Sequence, residues 1–415
     1  MLFSVAGELA TARNMLGVAP KAPWICSGSA LRSASLDLQA QSTRARQSGD
    51  AGAPTHAGLT ASNHRASLVA QYDLDLWGRL ASSNGAAQQR LLAQEWSRAA
   101  VEWSLTAQLA DAHFSLRAVH RQMQISDSVR TSRAQTLALR KQELAAGSAS
   151  EFDTRRAEGE RAGTDATLVS LQRQRVALEG TLDLLSGRNV AELAGPPVSV
   201  VALDTARERE PRLPQGEAAE FLARRPDLRE AEAQLAASRA DIGAARAATL
   251  PALSLSGNLG SDVRSLRNLF SASGFVWSIV ASLSQSLLDG GANRARIDQA
   301  EAQTDAALAR YRKAVLAAML ELREAYAALD LADQAQRAQS QRVVALEHSR
   351  QLAQIGVEAG VLAPLELLDA ERNAFQAQLD EVAAYRDRLI GQVAVMKVLG
   401  GGHAGVSTPK TSGES

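Results

Sequence analysis

The sequence predicts a mainly α-helical chain with a membrane β component, built as a tandem repeat in which a strand pair precedes a very long helix, a glycine turn and a shorter helix. Three observations carry this reading. The chain matches itself at one fixed shift, its helical stretches are too long for a compact domain, and its four alternating segments are too few to close a barrel alone.

The shift is 213 residues. It lays Asp111-Ala112-His113 over Glu324-Ala325-Tyr326, Leu109 and Leu116 over Leu322 and Leu329, and Ala157-Glu158 over Ala370-Glu371. Glycines keep the same register: Gly78 over Gly291, Ala146-Gly147 over Ala359-Gly360, and Gly187 over Gly400. A register held over so long a stretch indicates a duplicated architecture.

Helices are predicted over roughly 79–145 and 149–186 in the first copy and 291–357 and 363–399 in the second. At 1.5 Å per residue the longer ones reach about 100 Å. Leu308, Tyr311, Val315, Leu322, Tyr326 and Leu329 follow three-four spacing and predict a packing seam, with Arg310, Arg312, Glu321, Arg323 and Asp330 on other faces. His113 overlies Tyr326 and reads as a seam residue, not a ligand.

Asn268 to Leu288 is long and uncharged, yet six serines punctuate it, which argues against a lipid-facing helix. With a period of two, Trp277, Ile279, Ala281 and Leu283 share one face, while Ser278, Val280, Ser282 and Ser284 share the other. That alternation predicts a barrel strand with oil on one side and water on the other. Strands are expected at Val276–Leu288 and Leu253–Leu259, and at His64–Leu76 and Trp24–Leu38. Edge groups left unpaired in lipid cost several kcal/mol each, so closure requires further subunits, and three chains would supply twelve strands.

Composition supports this architecture. Only 4% of the 415 residues are aromatic against 22% charged, a balance suited to long helices packed through small side chains. Lys plus Arg equals Asp plus Glu at 45 each, so no net field points to nucleic acid. Cys26 is the single cysteine and reads as structural, which excludes disulfide frameworks and cysteine-based zinc sites. No phosphate-binding glycine loop, His-Glu-x-x-His helix or Gly-x-Ser-x-Gly elbow is present. Neither a catalytic, a cofactor nor a metal site is expected.

Several separated segments are recognisable. Tyr72-Asp73-Leu74-Asp75-Leu76-Trp77-Gly78-Arg79, Arg224-Arg225-Pro226-Asp227-Leu228-Arg229, Asp241-Ile242-Gly243-Ala244-Ala245-Arg246 and Leu367-Leu368-Asp369-Ala370-Glu371-Arg372 resemble signatures of the TolC-like outer-membrane efflux proteins, closest to the NodT or OprM type. The resemblance covers roughly residues 8–400. It implies a homotrimer with a twelve-stranded barrel in outer-membrane lipid, a helical barrel in the periplasm, and as partners a periplasmic adaptor protein and an inner-membrane transporter.

The resulting division assigns 1–22 to the remnant of a first leading helix, 23–77 to strand pair 1, 78–188 to helix pair 1 and 189–226 to an equatorial segment. It continues with a leading helix at 227–249, strand pair 2 at 250–288, helix pair 2 at 289–400 and a disordered tail at 401–415. No signal peptide or lipid-attachment motif reads out of the first residues, so a longer amino terminus is expected.

The resemblance also implies a periplasmic gate of leucines and aspartates at the start of the last helix, matched by Leu365 and Asp369. Asp153, which overlies Glu366 across the repeat, is a further candidate together with Glu366 itself. The plain alternative is that these acids favour helix amino termini. Arg224-Arg225-Pro226-Asp227 reads as helix-initiation chemistry at the junction with the leading helix. Type I protein export, a truncated fragment without function and a coiled-coil scaffold are the competing readings.

Overall fold

The computed structural model describes residues 34–46, 60–187, 202–203 and 223–400. The strands are β1 (Ala34–Arg46), β2 (Thr60–Leu74), β3 (Ala252–Val263) and β4 (Phe275–Ser284). The helices are α1 (Arg79–Ala145), α2 (Glu151–Leu185), α3 (Pro226–Ala247), α4 (Ala292–Glu358) and α5 (Pro364–Val398). The expected leading-helix remnant, Cys26, the tail and most of the equatorial segment lie outside the described residues.

The duplication is visible in the backbone. α1 and α4 each hold 67 residues, α2 and α5 each hold 35, and both pairs start in the same 213-residue register. The turns between them match atom for atom: the Ser148 amide donates to the Glu143 carbonyl at 2.9 Å, and the Val361 amide to the Gly356 carbonyl at 2.8 Å. Each turn needs a left-handed residue after the helix, and Gly147 (φ 74°) and Gly360 (φ 71°) supply it.

Contacts divide the chain into two compact units that cut across the repeats. One contains, among the described residues, 34–46, 60–95 and 230–312. Its helical core is mostly alanine, with Ala86 and Ala93 of α1, Ala233 and Ala237 of α3 and Ala300 of α4 buried beside Leu235. Small side chains let backbones approach closely, which is why the Thr304 hydroxyl reaches the Ser238 carbonyl at 3.1 Å. Arg90 pairs with Asp241, and Arg246 with Glu301 at 2.8 Å. The Asp289 carboxylate accepts from the Gly291 and Asn293 amides and caps the start of α4.

The second unit contains 96–187, 202–203, 223–229 and 313–400. Here Ala118, Val382, Tyr385 and Leu389 form a cluster that Leu203 of the equatorial segment completes, its amide bonded to the Arg117 carbonyl at 3.1 Å. The seam on α4 differs from expectation: Ala318 and Ala325 are buried and Leu322 and Leu329 flank them, but Tyr326 is 43% exposed. A bulky ring would force the helices apart, so the seam centres on alanine one position earlier. Arg225, itself buried, grips Asp227 with two hydrogen bonds of 3.0 and 2.8 Å, Glu321 at 2.7 Å and the Val398 carbonyl at the end of α5. The Arg-Arg-Pro-Asp segment thus ties the start of α3 to α4 and α5, whose unsatisfied carbonyls welcome a cation.

The four strands form one antiparallel sheet in the order β1-β2-β3-β4. Each ladder runs without a bulge: Ala34 opposite Tyr72 through Arg46 opposite Thr60, His64 opposite Val263 through Leu74 opposite Leu253, and Ala252 opposite Ser284 through Ser261 opposite Phe275.

Strand bounds depart from the sequence reading in an informative way. β1 continues to Arg46, not Leu38, and β3 to Val263, not Leu259, because cross-strand backbone bonds extend a ladder past the end of an apolar run. β4 stops at Ser284, short of the expected Leu288, since its partner β3 begins at Ala252 after Pro251, which has no amide to donate. β2 likewise ends at Leu74, not Leu76.

Close backbone contact makes one glycine indispensable. A Cβ on Gly260 would lie 2.3 Å from the Ala66 carbonyl oxygen and 2.5 Å from the Ser67 Cα, whereas one on Gly257 would meet nothing within 4 Å. Gly260→Ala is therefore expected to destabilise the sheet by about 1–3 kcal/mol, read as a lower midpoint of unfolding of the β-structure, while Gly257→Ala stays near the parent. Equal midpoints for both variants would contradict the register of β2 and β3.

Candidate functional site

The sheet sorts its side chains by chemistry. Directly paired residues of an antiparallel ladder share a face, so Leu38, Leu68, Leu259 and Trp277 form one row, and Leu36, Ala70, Gly257 and Ile279 the next. Ala34, Tyr72, Leu255 and Ala281 follow, then Leu74, Leu253 and Leu283. Leu38 is 79% exposed, Trp277 and Ile279 68% each and Leu283 70%, so a broad apolar surface is open in the single chain. The opposite face carries Ser35, Asp37, Gln39, Ser67, Gln71, Asp73, Ser254, Ser256, Asn258, Ser278 and Ser282, with Val69, Val276 and Val280 among them. Sequence periodicity placed Trp277, Ile279, Ala281 and Leu283 together on β4; only the register reveals that the stripe crosses all four strands. β1 and β4 are the outer members, so among the described residues each keeps one edge without a ladder partner.

The starts of α2 and α5 carry the second set of candidate residues. Ser150 caps α2, accepting from the Asp153 amide at 3.2 Å while its hydroxyl donates to the Asp153 carboxylate at 2.7 Å. Asp153 therefore serves the helix cap. Pro364 occupies the first turn of α5, Glu366 follows in that turn, and Leu365 is 46% exposed. Leu365 and Asp369, four residues apart, share a face. Asp369 is not a bare acid: it pairs with Arg156 of α2 at 3.5 Å and with Arg372 at 3.3 Å.

Arg156 overlies Asp369 in the repeat register, so equivalent positions of the two copies meet as opposite charges. Phe152, 72% exposed, overlies Leu365 in the same way. Neither was singled out from the sequence, although the 213-residue shift held the signal.

Deeper between the helices, Arg133 of α1 donates to the Glu160 carbonyl and to the Thr164 hydroxyl, both at 2.7 Å, pairs with the Glu160 carboxylate at 3.1 Å and lies over the Phe375 ring at 5.7 Å. Burial pushes the nearby Glu371 carboxyl up, against the pull of Arg133 and Arg350 and helped by Glu160. Among the described residues, no group of His, Cys, Asp and Glu could hold a metal ion and no helix is long and apolar enough to cross a membrane.

A sheet with one apolar and one polar face and paired helices of 67 and 35 residues in the same chain are features shared with known proteins. The profile of the outer membrane efflux protein family matches residues 30–188 and 218–401. The chain belongs to the outer membrane efflux protein family. It is 33% identical over 377 residues to the solvent efflux pump outer membrane protein SrpC of Pseudomonas putida, covering 88% of this chain and 77% of that one. Among solved structures it resembles a membrane protein of Pseudomonas aeruginosa (30% identity, TM-score 0.79, 96% of this chain and 89% of that one). It also resembles the open state of the MtrE outer membrane channel of Neisseria gonorrhoeae (30% identity, TM-score 0.77, 89% and 80%). These relatives favour efflux over the protein-export reading.

Because the folded protein holds a proton on Glu371 more tightly than the unfolded chain does, this residue's contribution to stability falls as pH rises above the usual carboxylate value of about 4.3. Glu371→Gln is expected to gain stability relative to the parent as pH rises above about 4.3, seen in helical melting followed by circular dichroism. A difference that shrinks with rising pH would contradict the burial of this carboxyl.

Proposed function

We propose that the chain is one of three identical subunits of an outer-membrane efflux channel, a passive conduit that carries small molecules onward from a periplasmic pump to the exterior. The observation that carries this reading is the four-stranded sheet: its apolar face suits lipid, its serine-, asparagine- and aspartate-bearing face suits water, and its two open edges demand neighbours. Three copies supply twelve strands and remove every edge. Exposed apolar side chains on the long helices, among them Leu316, Val344 and Ile355, support burial against further copies.

In this proposal residues 23–77 and 250–288 supply the barrel, with Trp277, Ile279, Ala281 and Leu283 toward lipid. Residues 78–188 and 289–400 supply the periplasmic helical barrel, 189–226 its equatorial belt, and 227–249 the leading helix of the second copy. An adaptor protein and an inner-membrane transporter complete the assembly, and the subunit itself performs no catalysis. SrpC is named for solvent efflux, and a small organic solute is the corresponding class of cargo here.

Leu365 and Asp369 form the periplasmic constriction, with Glu366 beside them and Asp153 as a cap that shapes the neighbouring turn. The Arg156 pairing supports this role, since an exposed interhelical pair worth about 0.2–1 kcal/mol holds a closed arrangement yet yields to a partner.

Reconstituted in planar bilayers, the full-length protein is expected to give discrete conductance and to run as a trimer. A soluble monomer without conductance would sink the channel reading. Asp369→Ala is expected to raise conductance or open time by up to about fivefold; an unchanged trace would remove Asp369 from the gate while leaving the channel intact.

A further inference from the structure

The apolar face of the sheet ends in a cationic rim. Over residues 34–45, 62–74, 252–263 and 275–284, the face that carries Leu38, Leu68, Leu259 and Trp277 holds no carboxylate. Asp37, Asp73 and Asp262 all fall on the other face, where Arg65 neutralises Asp262 at 2.6 Å. The cation Arg44 and the imidazole of His64 stand on the apolar side, and both sit where β1 and β2 are joined through residues 47–59.

Register brings the two together. Ser42 faces His64 across the ladder, with the hydroxyl 2.8 Å from the His64 Nδ1, and Arg44 stands two positions further along the same face, opposite Ser62. Diagonal neighbours of this kind lie about 7–8 Å apart, a span that one phosphate group can bridge. Arg44 is exposed, and the ladder hydrogen bonds hold its backbone in place. Toward the helices the rows return to Ala40, Ala66, Leu38 and Leu68. A cation displayed outward at the edge of an apolar band meets the headgroup layer, where anionic lipid attracts each Lys or Arg.

We propose that Arg44 and His64 form an outward-facing site for the phosphate of an outer-leaflet lipid, the phosphorylated glycolipid of the Gram-negative surface. The proposal rests on the lipid-facing reading of the sheet given above. With the helices on the periplasmic side, the joined ends of β1 and β2 point to the exterior leaflet. The absence of acids from this face removes the repulsion that such a ligand would meet.

The test uses the full-length trimer in detergent, titrated with bisphosphorylated lipid A, with dephosphorylated lipid A and with inorganic phosphate, and read by native mass spectrometry of retained adducts. Retention selective for bisphosphorylated lipid A is expected, weakened about fivefold in Arg44→Ala and further in Arg44→Ala with His64→Asn. Arg44→Lys should keep most of the retention. Equal retention of dephosphorylated lipid, insensitivity to these substitutions, or displacement by millimolar inorganic phosphate would each overturn the site. Quenching of the Trp277-dependent fluorescence by brominated lipid separates the two levels. If quenching is present and phosphate is ignored, only the rim site fails; without quenching, the orientation of the sheet and the site fail together.

Discussion

In the proposed membrane setting, backbone hydrogen bonding governs the sheet. A peptide group facing hydrocarbon has no water to turn to, so a four-stranded sheet with an apolar face must find ladder partners for its outer strands. Almost everything distinctive follows from that need. The ladders run without bulges, Gly260 admits the Ala66 carbonyl at a distance no side chain would allow, and the carboxylates of the described strands, Asp37, Asp73 and Asp262, collect on one face. Helices can satisfy their own backbones and escape the constraint, which is why most of the chain is helical and only the part proposed for lipid is β.

Duplication gives the chain a second economy, because one helix-turn-helix design serves twice. The glycine turns, their six-to-one hydrogen bonds and the helix lengths agree between copies, while side chains at matching positions diverge. Arg156 and Asp369 illustrate the point. A perfect repeat would have placed like charges against each other, but divergence placed a cation against an anion and turned a repulsive contact into a pair. Phe152 and Leu365 kept their apolar character instead, as exposed residues in the first turns of α2 and α5.

Burial of charge is concentrated, not scattered. Arg225 binds Asp227, Glu321 and a helix-terminal carbonyl, and Arg133 binds Glu160, Thr164 and the face of Phe375, so each guanidinium spends its fixed fork of donors on several elements at once. Alanine seams bring the helices close enough for such reaches.

Among the described residues the sequence by itself determined the duplication, the helix spans to within a residue or two, the four strands and the alternation on β4, because each is a local periodicity or a fixed offset. It also marked Leu365 and Asp369 through resemblance. The ladder ends, the continuity of the apolar stripe across four strands, the choice of Ala325 over Tyr326 as the seam and the meeting of Arg156 with Asp369 were decided only by the tertiary structure. Each of these depends on which backbone lies beside which, and a ladder extends as far as its partner can donate and accept, whatever the side chains along it would prefer.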